Sequence, residues 1–118
     1  MHKINPSLKT RVLELDLASQ KAVRRAAEEV LAYEENIDVL CLNAAIMAVP
    51  LAKTVDGLES QWGTNHIGHF LFANLVMKKV LDAGKGARVI NVSSFAHRRE
   101  RDRFDDPNYE VSVNSKPE

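Results

Sequence analysis

Residues 62–75 read Trp-Gly-Thr-Asn-His-Ile-Gly-His-Phe-Leu-Phe-Ala-Asn-Leu, and residues 87–94 read Ala-Arg-Val-Ile-Asn-Val-Ser-Ser. The first stretch has helical spacing and is apolar nearly all the way round, with Asn65 a buried-looking polar residue that apolar packing does not explain. The second is of strand length and delivers Ser93 and Ser94 at its carboxyl end. Gly84-Lys85-Gly86 lies between them and supplies a C-cap turn. A long helix feeding a short strand this way is a crossover unit, the building block of a parallel sheet.

The same grammar extends upstream. Ile37–Leu42 is a nearly continuous apolar run, the mark of a strand covered on both faces. Asn43-Ala44-Ala45 leaves it, and residues 46–54, with Pro50, read as loop. Asp56-Gly57-Leu58-Glu59 matches a capping box, so the helix is expected to begin at Asp56, bend near Gly63 and run to about Ala83. Arg11–Leu15 reads as a further strand, followed by Asp16 and Leu17. Ser19 suits the N-cap of a helix over 20–35, whose apolar face is Val23, Ala26, Ala27, Val30 and Leu31.

The order strand, helix, strand, helix, strand predicts parallel strands joined by right-handed crossovers. In such sheets ligands bind beyond the carboxyl ends of the strands. The segments expected there are Asp16-Leu17, Asn43-Ala44-Ala45 and Ser93-Ser94, all polar or small.

Bulk properties narrow the function classes. A chain of 118 residues fits one small domain. Sixteen Lys and Arg against sixteen Asp and Glu produce no net field to attract nucleic acid or an anionic membrane. No apolar run is long enough to span a bilayer, and Met1–Pro6 lacks the apolar core of a signal peptide. The single Cys41 excludes an internal disulfide and, with apolar neighbours, reads as an inert buried thiol. The reading is of a soluble, cytoplasmic protein. His66 and His69 have a spacing metals can use, but no acidic or thiol partner completes a set, so no metal site is assigned. The arginines of 98–103 alternate with Glu100 and Asp102, the pattern of a solvated loop.

LELDLAS, LNAA, QWGTNHIGHFLFANL, RVINVSS, AHRR and FDDPNY occur in an order and spacing that resemble the short-chain dehydrogenase/reductase family, in its retinol-dehydrogenase and WW-domain-oxidoreductase branch. The resemblance covers about Arg11 to Tyr109. It implies a partial Rossmann-type, doubly wound α/β fold of three layers (α/β/α), lacking the first two strands. It divides the chain into an irregular 1–10, a partial NAD(P)-binding domain over 11–109 and a disordered tail over 110–118.

By the same resemblance Asp16 accepts from the adenine amino group of NAD or NADP, and Leu17 offers a backbone contact to that ring. Asn43 and Ala44 pass the cofactor ribose, with Ala45 where the family has glycine. Asn65 holds a water in the proton relay. Ser94, with Ser93 as runner-up, hydrogen-bonds the substrate carbonyl. The reaction implied is hydride transfer between nicotinamide and a carbonyl/alcohol pair of a lipophilic or secondary-metabolite small molecule, with a tyrosine as proton donor.

Two family signatures are absent from these residues. There is no TGxxxGxG turn, whose glycines admit the pyrophosphate at a helix N-terminus. There is no YxxxK either: the fourth residue after Tyr109 is Val113. The expectation is a truncated chain, inactive alone. A second expectation is pairing through helix 64–82, as a homodimer or with a full-length relative, because its apolar residues exceed one face.

Overall fold

The computed structural model describes residues 7, 9–98 and 105–111. Two parallel strands, β1 (Val39–Leu42) and β2 (Arg88–Asn91), pair in register, Val39 with Arg88 through Leu42 with Asn91. The helix α1 is Gln20–Leu31, and a long helical segment, α2, covers 60–82. Its ends, Ser60–Trp62 and His69–Asp82, are α-helical, and Gly63–Gly68 between them is π-helical. A 3₁₀ turn, Phe95–Arg98, follows β2. The parallel crossover architecture is the partial Rossmann-type α/β arrangement expected.

Period-2 alternation decides which face of the sheet is buried. Leu40 and Leu42 point into a core with Val23, Ala26 and Ala27 of α1 and Phe72, Ala73, Val76 and Val80 of α2. Both helices therefore lie on one face. On the other face Val39 is 57% exposed, Ile90 46% and Val92 51%, and Cys41 is exposed with them. Of the three expected layers, the described residues form one helical layer and the sheet. Cys41 is thus not a buried thiol: its apolar neighbours in sequence flank it along a strand whose alternate face is open.

Helix α1 starts where expected. Ser19 accepts from Ala22 N through its hydroxyl at 3.3 Å. It stops at Leu31 rather than 35, and Leu31 is exposed. The reason is tertiary. Lys79 of α2 donates to the carbonyls of Tyr33 and Glu35 and returns its own carbonyl to Ile37 N at 3.1 Å, holding 33–37 as a turn into β1.

The start of α2 also differs from expectation. Glu59, not Asp56, is the N-cap, its carboxylate accepting from Gln61 N at 2.9 Å and Trp62 N at 2.7 Å. Asp56 instead accepts from Gln20 N at 2.7 Å, at the first turn of α1. A carboxylate serves the N-terminus of either helix equally well, so local sequence could not choose between them. The irregularity anticipated at Gly63 is the onset of the π-helical stretch.

Residues 11–15 form no strand. Among the described residues they have no backbone pairing, and side chains hold them instead. Leu13 and Leu15 pack on the core, Arg11 lies 4.3 Å above the Tyr33 ring and 3.4 Å from Glu35, and Glu14 pairs with Arg25. The intervening residues point outward, Val12 being 97% exposed. The segment keeps a strand's alternation without a strand's partner.

Most of the expected irregular N-terminus and 112–118 of the expected tail lie outside the described residues. Glu110 and Val111 are described and helical. Asp106 caps them at 2.7 and 3.2 Å, and Glu110 pairs with Lys53 at 2.5 Å.

Candidate functional site

The π-helical stretch of α2 is where the separate segments meet. Asn65 makes two hydrogen bonds to the backbone of one residue, Ile46, in the loop leaving β1. Its Oδ1 accepts from Ile46 N at 2.9 Å and its Nδ2 donates to Ile46 O at 2.8 Å. One turn earlier, Gln61 Oε1 accepts from Ala48 N at 3.2 Å. Three residues later, Gly68 faces Leu17: a Cβ there would sit 2.4 Å from the Leu17 carbonyl oxygen. Positions 61–68 span roughly 10 Å of helix at about 1.5 Å per residue. Within that length α2 grips both the β1 exit loop and the Asp16-Leu17 turn.

Asn65 is exposed, not buried as its setting in sequence implied. Its polarity is explained by the peptide it clamps. His69, which is buried, brings its Nδ1 to 2.9 Å from the Asn65 carbonyl, so it is a packing residue with an internal partner. The His69 backbone N–H donates to the His66 carbonyl three residues earlier, a 3₁₀-type bond at the end of the π-helical stretch. His66 is exposed, in a stack with Trp62 and Phe70 at 4.5 and 6.3 Å between ring centroids. No cluster of residues able to hold a metal ion exists among the described residues.

Asp16 is exposed and tightens its own turn, Oδ1 accepting from Ala18 N at 2.9 Å and its carbonyl from Ser19 N at 3.3 Å. Leu17, by contrast, is buried against α2. Asn43, Ala44 and Ala45 are exposed at the carboxyl end of β1. Ser94 is exposed three residues beyond β2, where its Oγ accepts from Ala96 N at 3.2 Å and its carbonyl from His97 N at 3.3 Å. The parallel register puts the Asn43 and Ser94 segments at the same end of the sheet, and the bond from Val92 N to Leu42 O at 3.1 Å extends it there. Asn65 joins them through Ile46. Asp16 and Leu17 reach the same helix at Gly68.

Gln61 and Gly68 are not singled out by sequence, and His69 only as half of a metal-spaced pair. Gly68 carried a signal: glycine inside a helix costs about 1 kcal/mol relative to alanine, so its presence marks a close approach. Tyr109 has a left-handed backbone, φ 55°, and is 44% exposed.

Residues 2–106 match the family model for short chain dehydrogenase. The chain is 44% identical over 108 residues to retinol dehydrogenase 13 of Mus musculus, covering 92% of this chain and 31% of that protein. It is 45% identical over 103 residues to retinol dehydrogenase 14 of Homo sapiens, covering 87% and 30%. The crystal structure of an uncharacterized protein from Mycobacterium Paratuberculosis superposes with a TM-score of 0.68 at 46% identity, covering 82% of this chain and 33% of that one. The chain spans about a third of the length of the curated relatives it matches. With a family model covering nearly all of its described length, this chain belongs to the short-chain dehydrogenase family.

Proposed function

We propose that these residues form the adenosine-side and substrate-serine portion of an oxidoreductase site acting on a carbonyl/alcohol pair with NADP or NAD. The observation that carries the reading is the convergence on residues 61–68 of α2 of the Asp16-Leu17 turn and the β1 exit loop, with Ser94 at the same sheet end. Relatives named retinol dehydrogenases support a lipophilic alcohol or aldehyde as the substrate class.

The residues present fit part of the cofactor. Asp16 offers an exposed carboxylate to an amino group, and Leu17 a backbone contact beside it. Exposed Asn43 and Ala44 suit a ribose edge. No glycine occurs before Gly57, so the pyrophosphate turn is not among these residues. When bound, the nicotinamide supplies or takes the hydride. Ser94 accepts a backbone N–H at Oγ, which leaves its hydroxyl proton for a carbonyl oxygen. Asn65, whose side-chain amide holds Ile46 and whose carbonyl faces His69 Nδ1, stands at the position of the family's relay asparagine. With no YxxxK in these 118 residues, the chain alone does not turn over.

Calorimetric titration with NADP and NAD, alongside an assay of NADPH oxidation with a lipophilic aldehyde, tests the reading. Weak nucleotide binding that Asp16→Ala abolishes, without turnover, is the expected result. Saturable turnover by these residues alone, or no nucleotide effect on any residue at this sheet end, contradicts it.

A second reading is non-catalytic pairing, with another copy or a full-length relative, through helix 64–82. Phe70 is 62% exposed and Leu81 71%, on the side of α2 away from its buried residues. A dilution series by light scattering that shows monomer at every concentration, with no crosslink to a full-length relative, removes it.

A further inference from the structure

We propose that Gln61 is a positioning residue which, with Asn65, forms a two-point clamp on the β1 exit loop. The inference rests on the assignment of Asn43 and Ala44 to the cofactor ribose, and it adds the device that fixes their loop. Residues 61 and 65 are one helical turn apart and share a side of α2. They grip alternate residues of one loop, Asn65 both the N–H and the carbonyl of Ile46 and Gln61 the N–H of Ala48.

Ala48 is held in the left-handed region, φ 54°, which an alanine does not adopt without an outside constraint. The Gln61 bond is that constraint. It fixes the direction of the Ala48 N–H, while the paired bonds at Ile46 fix the backbone two residues earlier. With both points held, Asn43–Ala45 cannot swing away from the sheet end without breaking one of them. His69 supports the arrangement from inside the helix through its contact with the Asn65 carbonyl.

Only the acceptor oxygen of Gln61 is used, and that separates a clamp from a helix residue that is merely well tolerated. Gln61→Glu keeps an acceptor at the same reach, whereas Gln61→Asn keeps the amide but shortens the arm by one methylene. Amide hydrogen exchange on the whole chain, read by NMR, tests this. Ala48 is expected to exchange tenfold or more faster in Gln61→Asn and to be restored near the parent rate in Gln61→Glu, with Ile46 unchanged in both. Equal Ala48 exchange in all three proteins, or no restoration by glutamate, overturns the proposal. So does an Ala48 amide that is unprotected in the parent, a measurement that needs no variant to fold. Adding NADP bears separately on the site reading: shifts at Asn43 and Ala44 support that reading, and their absence counts against it without touching the Ala48 result.

Discussion

Gly68→Ala separates local propensity from tertiary contact. By propensity alone, alanine inside a helix is favoured by about 1 kcal/mol. The added Cβ, however, would lie 2.4 Å from the Leu17 carbonyl oxygen, 2.9 Å from its Cβ and 3.1 Å from its carbonyl carbon. These are mostly backbone atoms, which cannot rotate aside. Overpacking of this kind costs about 1–3 kcal/mol. Displacing Leu17 also gives up part of the roughly 1.5–3 kcal/mol from burying its side chain. The net expectation is a loss of about 2 kcal/mol, or roughly 8 °C in Tm for a domain of this size. Gly63→Ala is the control. Its Cβ would meet Thr54 Cγ2 at 2.7 Å and Leu58 Cβ at 3.3 Å, side-chain atoms rather than the backbone carbonyl met at Gly68, so the loss there is smaller although turning Thr54 gives up its bond from Leu58 N. Urea unfolding followed by circular dichroism measures both, and hydrogen exchange at Ala18 reports whether the Asp16 turn has lifted from α2. A Gly68→Ala protein as stable as the parent, with Ala18 still protected, refutes the close approach.

Three further outcomes are expected. Thr64→Val raises stability by about 1 kcal/mol, because Thr64 Oγ1 is buried without a hydrogen-bond partner among the described residues and valine removes it at constant shape; an unchanged or lower urea midpoint contradicts this. Cys41 reacts with a maleimide in native buffer at a rate within a few-fold of that in urea, because its strand face is open; a thiol protected until unfolding would show that something covers the sheet. A hydrogen bond from its own backbone N–H, and then the Arg11 guanidinium, hold the Glu35 carboxyl below its ordinary value. A lowered folded-state pKa means the stabilisation is present above the ordinary carboxylate range and is lost as pH falls through the folded value. Arg11→Met should move the Glu35 titration only part of the way back, as read by carboxyl NMR; complete restoration, or none, is the contrary result.

The chemistry-bearing segments were readable from local pattern. Ser19 capped the helix it appeared to cap, and the apolar run at 37–42 and the strand before Ser93 paired in parallel. The failures have a common cause. The apolar run around Cys41 has the pattern of a strand covered on both faces, yet periodicity shows which residues share a face and not whether another layer lies against it. Asp56 and Glu59 offered the same carboxylate to a helix start, and only the approach of α1 to the 54–58 turn assigned each its helix. Asn65 has apolar neighbours that imply burial, but its polarity answers to Ile46, nineteen residues earlier.

The sequence by itself determined the class of fold, the family and the segments that end at the carboxyl edge of the sheet. These follow from periodicity and from residue types whose capping and turn chemistry is local. The tertiary structure alone decided what α2 does. It placed Gln61, Asn65 and Gly68 against Ala48, Ile46 and Leu17, contacts between residues 13 to 51 positions apart. It also left residues 11–15 without a strand partner among the described residues, since a strand needs a neighbour's backbone and no sequence pattern within the strand can supply one.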